Sequence, residues 1–166
     1  MPTTVDKESF LRLIEDNKGI IYKICHSYCR IESDREDLAQ EIIYQLWRSA
    51  PQFDETKRFS TWMYRVALNA AISFYRKNGS GSIVSLSGEE ENIPEPTGNP
   101  EEENIKRLQT FIHELKELEK ALMILYLEAR SYKEISDILG ITETNVATRI
   151  SRIKEKLKQR FLTTNH

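Results

Sequence analysis

Apolar residues recur along the first half of the chain at helical spacing. Phe10, Leu13 and Ile14 make one short stripe, and Asn17–Gly19 interrupts it. Ile20, Ile21, Ile24, Cys25 and Tyr28 make the next. Leu38, Ala39, Ile42, Ile43 and Leu46 follow, behind Ser33 and Glu36. That Ser/Glu spacing is a capping box, so a helix is expected to start at Ser33 and to end before Pro51. After the loop "PQFDETKRF", Met63, Val66, Ala67, Ala70 and Phe74 fall at i, i+3, i+4, i+7 and i+11, which predicts a helix over about Ser60–Lys77. No alternating strand pattern interrupts this half.

The second half is also helical by period. One helix is expected over about Ile105–Arg130, with Leu115, Leu118, Leu122 and Leu125 spaced for burial. The stretch "SYKEISDILGITETNVATRISRIKEKLKQR" then reads as helix, tight turn at Gly140, helix. Ser131 and Thr142 stand where N-caps belong. Ile135, Ile138 and Leu139 would pack from the first of these helices, and Val146, Ile150, Ile153 and Leu157 from the second. The expected fold is all-α, with two small helical domains at 5–78 and 105–162.

Between them, residues 79–104 break every period. The stretch "NGSGSIVSLSGEEENIPEPTGNPEEEN", 78–104, is rich in Gly, Pro, Ser and Glu and too polar to bury a core. It reads as a flexible, self-repelling linker, in which the apolar island Ile83–Leu86 has the character of a docking segment.

Composition changes the picture in one respect. At 39% apolar and 30% charged, the chain is ordinary for a globular protein. A formal net charge of −2 argues against a nucleic-acid ligand, but its distribution does not. Residues 1–78 hold 12 Lys/Arg against 11 Asp/Glu, residues 79–104 hold seven Glu and no cation, and residues 105–166 hold 12 Lys/Arg against eight acids. The acidity sits in the linker, and the flanking halves are neutral to basic. No apolar run is long enough for a membrane span, so no membrane insertion is expected. The start "MPTTVDKESF" has no secretory character, and two cysteines suit a reducing, cytoplasmic setting.

Two helices joined by a short Gly turn, the second one basic, form the helix-turn-helix pattern of DNA-binding proteins. Asn145, Thr148, Arg149, Arg152 and Lys156 share one face of the second helix. Arg reads guanine bidentately, Asn reads adenine, and Thr meets a thymine methyl or a phosphate. Lys133, Lys154 and Lys158 are candidates for phosphate contacts. The plainer alternative is a helical hairpin with a solvated basic face.

A second basic surface lies in the first half. No acidic residue occurs from Thr56 to Gly88, a stretch that contains Lys57, Arg58, Arg65, Arg76 and Lys77. Trp62, Arg65, Asn69, Ser73 and Arg76 fall on one side of the helix from Ser60. Aromatics beside cations suit unstacked bases and a phosphate backbone, although a lone Trp is more often core. The preceding loop has the makings of a wall for an extruded base. A third face, Asp37, Gln40, Glu41 and Tyr44, is acidic and amide-bearing beyond what helix capping requires.

Other chemistry is weakly signalled. Cys25, His26 and Cys29 are too few for a structural zinc site and read as buried thiols beside a polar ring. No phosphate loop, zinc-protease motif or nucleophile–base pair is present. No catalytic residue, metal site or cofactor is expected.

The three stretches "DREDLAQEIIYQLW", "RFSTWMYRVALNAAISFYRK" and "SYKEISDILGITETNVATRISRIKEKL", in that order and separated by a linker, resemble bacterial sigma factors of the extracytoplasmic-function class. The resemblance covers about residues 10–78 and 112–160. It implies a sigma-2-like helical bundle that binds core RNA polymerase and melts the −10 element, and a sigma-4-like helix-turn-helix that reads the −35 element. Asp37, Gln40 and Glu41, with Tyr44 on the same face, match the polymerase-binding motif. Phe59, Thr61, Trp62, Arg65 and Asn69 match the −10 motif, with Lys57, Arg58, Arg76 and Lys77 around them. Thr144, Asn145, Thr148, Arg149, Arg152 and Lys156 fall on the −35 recognition helix, with Lys133 on the helix before it. The linker would thread the polymerase, and an anti-sigma factor is the implied inhibitor. Three departures stand out: Ala147 in place of a common Lys, "LKELEKAL" where Leu-Pro is usual, and Ala129–Arg130 in place of a common Glu-Gly. A stand-alone helix-turn-helix regulator, dimeric on palindromic sites, is the competing reading, and a polymerase inhibitor that reads no promoter is a third.

Overall fold

The computed structural model describes residues 6–77 and 99–163. The described residues form helices joined by short turns, and the chain divides into two compact units, Met1–Glu91 and Asn92–His166. The island Ile83–Leu86 and most of the acidic linker lie outside the described residues.

In the first unit, α1 (Lys7–Asp16) and α2 (Lys18–Tyr28) meet at Asn17. The Asn17 side-chain amide donates to the Leu13 carbonyl at 2.8 Å and ends the first helix there. Next come α3 (Glu32–Ser49), a 3₁₀ turn at Ala50–Gln52 that contains Pro51, and α4 (Phe59–Lys77). The core lies where α2, α3 and α4 converge. Ile24, Leu38, Ile42, Leu46, Met63 and Leu68 are fully enclosed there. Ala67, Ala70 and Ala71 are buried on α4, and their small side chains let neighbouring helices approach closely.

Two expectations need correction here. Ser33 is not the N-cap of α3: the helix begins at Glu32, Ile31 holds the cap position, and no side chain caps it. Glu32 and Asp34 in the first turn favour the positive end of the helix instead. Arg35 ties the entry by donating from Nε to the Cys29 carbonyl at 3.0 Å. Ile43, expected in the core, is 38% exposed.

In the second unit, the single helix expected over Ile105–Arg130 is two. They are α5 (Pro100–Glu114) and α6 (Glu117–Leu127), separated by Leu115 and Lys116 in extended conformations. The first begins five residues earlier than expected because Asn99 accepts a hydrogen bond from the Glu101 amide and Pro100 suits the first helical position. Residues 99–104, assigned to the linker from composition, are therefore the cap and first turn of α5. α7 (Tyr132–Leu139) and α8 (Glu143–Thr163) complete the unit. Ile135, Ile138, Val146, Ile150 and Ile153 are buried as their spacing requires, against Leu122 and Leu125 of α6.

Candidate nucleic-acid and protein interfaces

The turn between α7 and α8 is built from local parts. Ser131 caps α7 by accepting from the Glu134 amide at 3.1 Å. Gly140 ends that helix at φ +71, a left-handed conformation that costs an L-residue about 1 kcal/mol. The Ser136 hydroxyl donates across the turn to the Ile141 carbonyl. Thr142 then caps α8, accepting from the Asn145 amide at 3.0 Å.

From this fixed start, α8 displays the expected residues. Thr144, Thr148, Arg152 and Lys156 are exposed, and Asn145 and Arg149 are half-buried. Arg149 donates from Nε to Asn145 Oδ1 at 2.8 Å. The Thr148 hydroxyl donates to the Thr144 carbonyl at 2.9 Å, so its methyl and lone pairs remain for an outside partner. Lys156 pairs with Glu119 at 3.1 Å. Arg149, Arg152 and Lys156 line a groove of about 340 Å³ together with Lys116, Glu117, Leu118 and Glu119 at the start of α6. Sequence periodicity had no means of finding the α6 contribution, because it comes from tertiary packing.

Lys133 is exposed on α7. Lys154 and Lys158 do not join the recognition face. Lys154 sits with its ammonium 4.5 Å from the centre of the Tyr126 ring, and a bond to that tyrosine raises its pKa. Both lysines flank a separate apolar groove with Leu157 and Phe161. Arg160 is held in a forked pair by Glu114, one arm at 2.6 Å, which raises its pKa further.

In the first unit, Trp62 is not a lone aromatic. Its ring centre lies 5.1 Å from Phe53, 5.5 Å from Phe59 and 5.9 Å from Phe10, and Phe10 also meets Trp47 at 5.0 Å. Phe59, Thr61 and Trp62 are half-buried, whereas Lys57, Arg58, Arg65, Asn69, Arg76 and Lys77 are exposed around them. The loop into α4 is folded onto this cluster. Phe53 is buried, and Asp54 accepts from both the amide and the hydroxyl of Thr56, which hold its carboxyl below the ordinary range. The half-exposed side of α4 therefore combines ring edges with five cations along the helix and its entry loop.

On α3, Asp37, Gln40 and Tyr44 are exposed, and Glu41 is half-buried, accepting from Gln45 at 2.9 Å. Ile43 adds apolar surface beside them. Elsewhere, Cys25 and Cys29 are buried free thiols, and burial pushes the Cys25 thiol up to about 11 against a weaker pull from Arg35. His26 packs against the Tyr22 ring, with centres 4.0 Å apart. Among the described residues no helix is long and apolar enough to cross a membrane.

Comparison with known proteins places the chain in a family. Residues 13–81 match the profile of sigma-70 region 2, and residues 105–157 match that of sigma-70 region 4. The ECF RNA polymerase sigma factor SigW of Bacillus subtilis is 29% identical, over 94% of this chain and 90% of its own. The ECF RNA polymerase sigma-E factor of Haemophilus influenzae is 26% identical, over 94% and 89%. The fold is shared with CnrH, solved in complex with the cytosolic domain of CnrY, at a TM-score of 0.68 and 18% identity over 97% of this chain and 92% of that one. It is shared also with RpoE of Bartonella quintana, solved with the anti-sigma factor NepR, at 0.66 and 19% over 93% and 95%. The chain belongs to the sigma-70 family, within its extracytoplasmic-function group. It is a sigma factor, a subunit that directs RNA polymerase to promoters.

Proposed function

We propose that three separate surfaces divide the work of initiation. Asp37, Gln40, Glu41 and Tyr44 on α3 dock the clamp of core RNA polymerase, with Ile43 adding apolar contact. The side of α4 carrying Phe59, Thr61, Trp62, Arg65 and Asn69, with Lys57, Arg58, Arg76 and Lys77, captures the unstacked strand of the −10 element. Thr144, Asn145, Thr148, Arg149, Arg152 and Lys156 of α8 face the duplex −35 element, with Lys133 on flanking phosphate. The observation that carries this division is the first unit's pairing of a basic face backed by rings with an acidic face on another helix. A repressor that meets only duplex DNA has no use for either.

Captured bases supply the driving force. Stacking contributes ~1–3 kcal/mol per base, so several contacts together favour melted DNA without ATP. The protein is then a non-catalytic subunit acting in the cytoplasm, where the polymerase works. An anti-sigma factor, as in the solved complex of the RpoE relative with NepR, would act by covering these surfaces.

Run-off transcription and gel shifts, with and without core polymerase, test the reading. Specific transcripts should require both proteins. In the assembled holoenzyme, Arg65→Ala should weaken binding to a pre-melted −10 template and spare the −35 duplex, and Arg152→Ala should do the reverse. Tight operator binding by the free protein would count against a sigma factor's division of labour.

A further inference from the structure

Asn145 stands in the first turn of the recognition helix and is the obvious candidate to read a base. Its hydrogen bonds point elsewhere. Its backbone amide is fixed by the Thr142 cap at 3.0 Å. Its side-chain oxygen accepts from Arg149 Nε, one turn on, at 2.8 Å. Reading adenine needs the amide spread on the base edge, with oxygen and nitrogen both engaged. Here the oxygen already accepts from Arg149 on one of its two lone pairs, which ties the amide back to its own helix. Arg149, in turn, has its Nε satisfied and its side chain half-buried. The groups left to it are the two Nη donors at the end of the guanidinium, the fork that matches O6 and N7 of guanine.

We propose that Asn145 is a positioning residue that locks Arg149 for end-on reading of one guanine in the −35 duplex. Thr142, Asn145 and Arg149 form a relay from helix cap to base edge, and the preset fork loses little freedom on binding. The proposal rests on the assignment of α8 to the −35 element. It changes the role of Asn145 within that assignment from reader to clamp.

The test uses holoenzyme and promoter fragments substituted at each −35 base pair, with selectivity taken as the ratio of binding to the original and substituted fragments. Taking a ratio within each variant removes differences in stability and in overall affinity. Arg149→Ala should abolish preference for guanine at one base pair, a loss of roughly 5- to 150-fold for a bidentate contact. Asn145→Ala should reduce preference at that same base pair, and the double variant should lose no more than Arg149→Ala does. Asn145→Asp keeps the acceptor but lacks the amide donor that adenine needs. It should retain guanine selectivity even though its charge lowers affinity for every fragment. The proposal is overturned if Asn145→Ala alters a different base pair, if the two losses multiply, or if Asn145→Asp behaves as the alanine variant does. If Arg149→Ala changes selectivity nowhere while transcription still depends on core polymerase, the −35 assignment of this face falls with it.

Discussion

The two units each carry a basic face on a long helix, α4 with 19 residues and α8 with 21, and they hold it differently. On α8 three of the cations are met from within the unit: Arg149 by Asn145, Lys156 by Glu119, Arg160 by Glu114. Along α4 and its flanks the chain places no acid at all between Thr56 and Gly88, and the support comes from rings packed behind the face. Under the proposed assignment this difference follows the two targets. Duplex DNA presents base edges at fixed positions, so a preset fork suits it. A melted strand has no fixed shape, so ring edges and a field of exposed cations suit it better.

The largest expected effect concerns the remaining face of the first unit. Replacing Asp37, Gln40 and Glu41 together with Ala should weaken core polymerase binding by about 100-fold or more, as loss of a central interface cluster does. Folding stability should stay within about 1 kcal/mol, because the side chains are largely solvated and the Gln45–Glu41 pair is worth a few tenths. Anisotropy titration of labelled protein with core enzyme gives the first quantity and a urea melt the second. Retained binding would reduce this face to an ordinary solvated helix surface, and the first unit would then differ from the second only in its rings.

Those rings set the next effect. Trp62→Ala should cost about 3 kcal/mol of stability, since it opens a cluster shared by Phe10, Phe53 and Phe59. Trp62→Phe should recover most of it. Circular dichroism during denaturation measures both. A loss below 1 kcal/mol for the alanine variant would mean that the ring is held for DNA rather than for the fold.

The same contrast explains what the sequence made legible. The helix-turn-helix was readable because each part is local: Ser131 and Thr142 act on amides three residues away, and Gly140 acts on its own φ. The polar faces of α3 and α4 were readable from period and from motif. The aromatic cluster was not, because Phe10, Trp47, Phe53 and Trp62 come from distant stretches that no period connects. For the same reason Lys116 and Glu119 beside Arg149 went unseen. Ser33 misled in the opposite way: the signature of a cap was present, but the helix gained a turn-start at Glu32 from Arg35 and the first-turn acids. The contact of Lys154 with the Tyr126 ring is likewise tertiary, and the period of α8 does not show it.

The second unit's reliance on turns gives smaller effects of opposite sign. Ala129 sits at φ +58, where the amides of Ala129 and Arg130 return to the Tyr126 and Leu125 carbonyls in a Schellman motif. Ala129→Gly should therefore stabilise the protein by about 1 kcal/mol by relieving a left-handed alanine. Gly140→Ala should destabilise it by about the same amount. An added Cβ there meets nothing within 4 Å, so the backbone alone sets the cost. If both changes lower the melting temperature, the turns are constrained by something other than φ.

The smallest expected effect is at the break between α5 and α6. No proline stands in this stretch, yet the chain breaks there anyway. Leu115 has ψ 155, which suits a residue before proline, and Lys116 has φ −70, which suits proline itself. The Lys116 amide makes only a long contact, 3.5 Å to Glu119. Lys116→Pro should then stabilise by about 0.5 kcal/mol, mainly by restricting the unfolded chain. A unit of this size would show that as a rise of roughly 2–4 °C in melting temperature. A fall instead would mean that the Lys116–Glu119 contact orders the start of α6. Because Glu119 also holds Lys156, the groove beside Arg149 would then depend on that single amide, and the preset character of the α8 face would begin at the α5–α6 break.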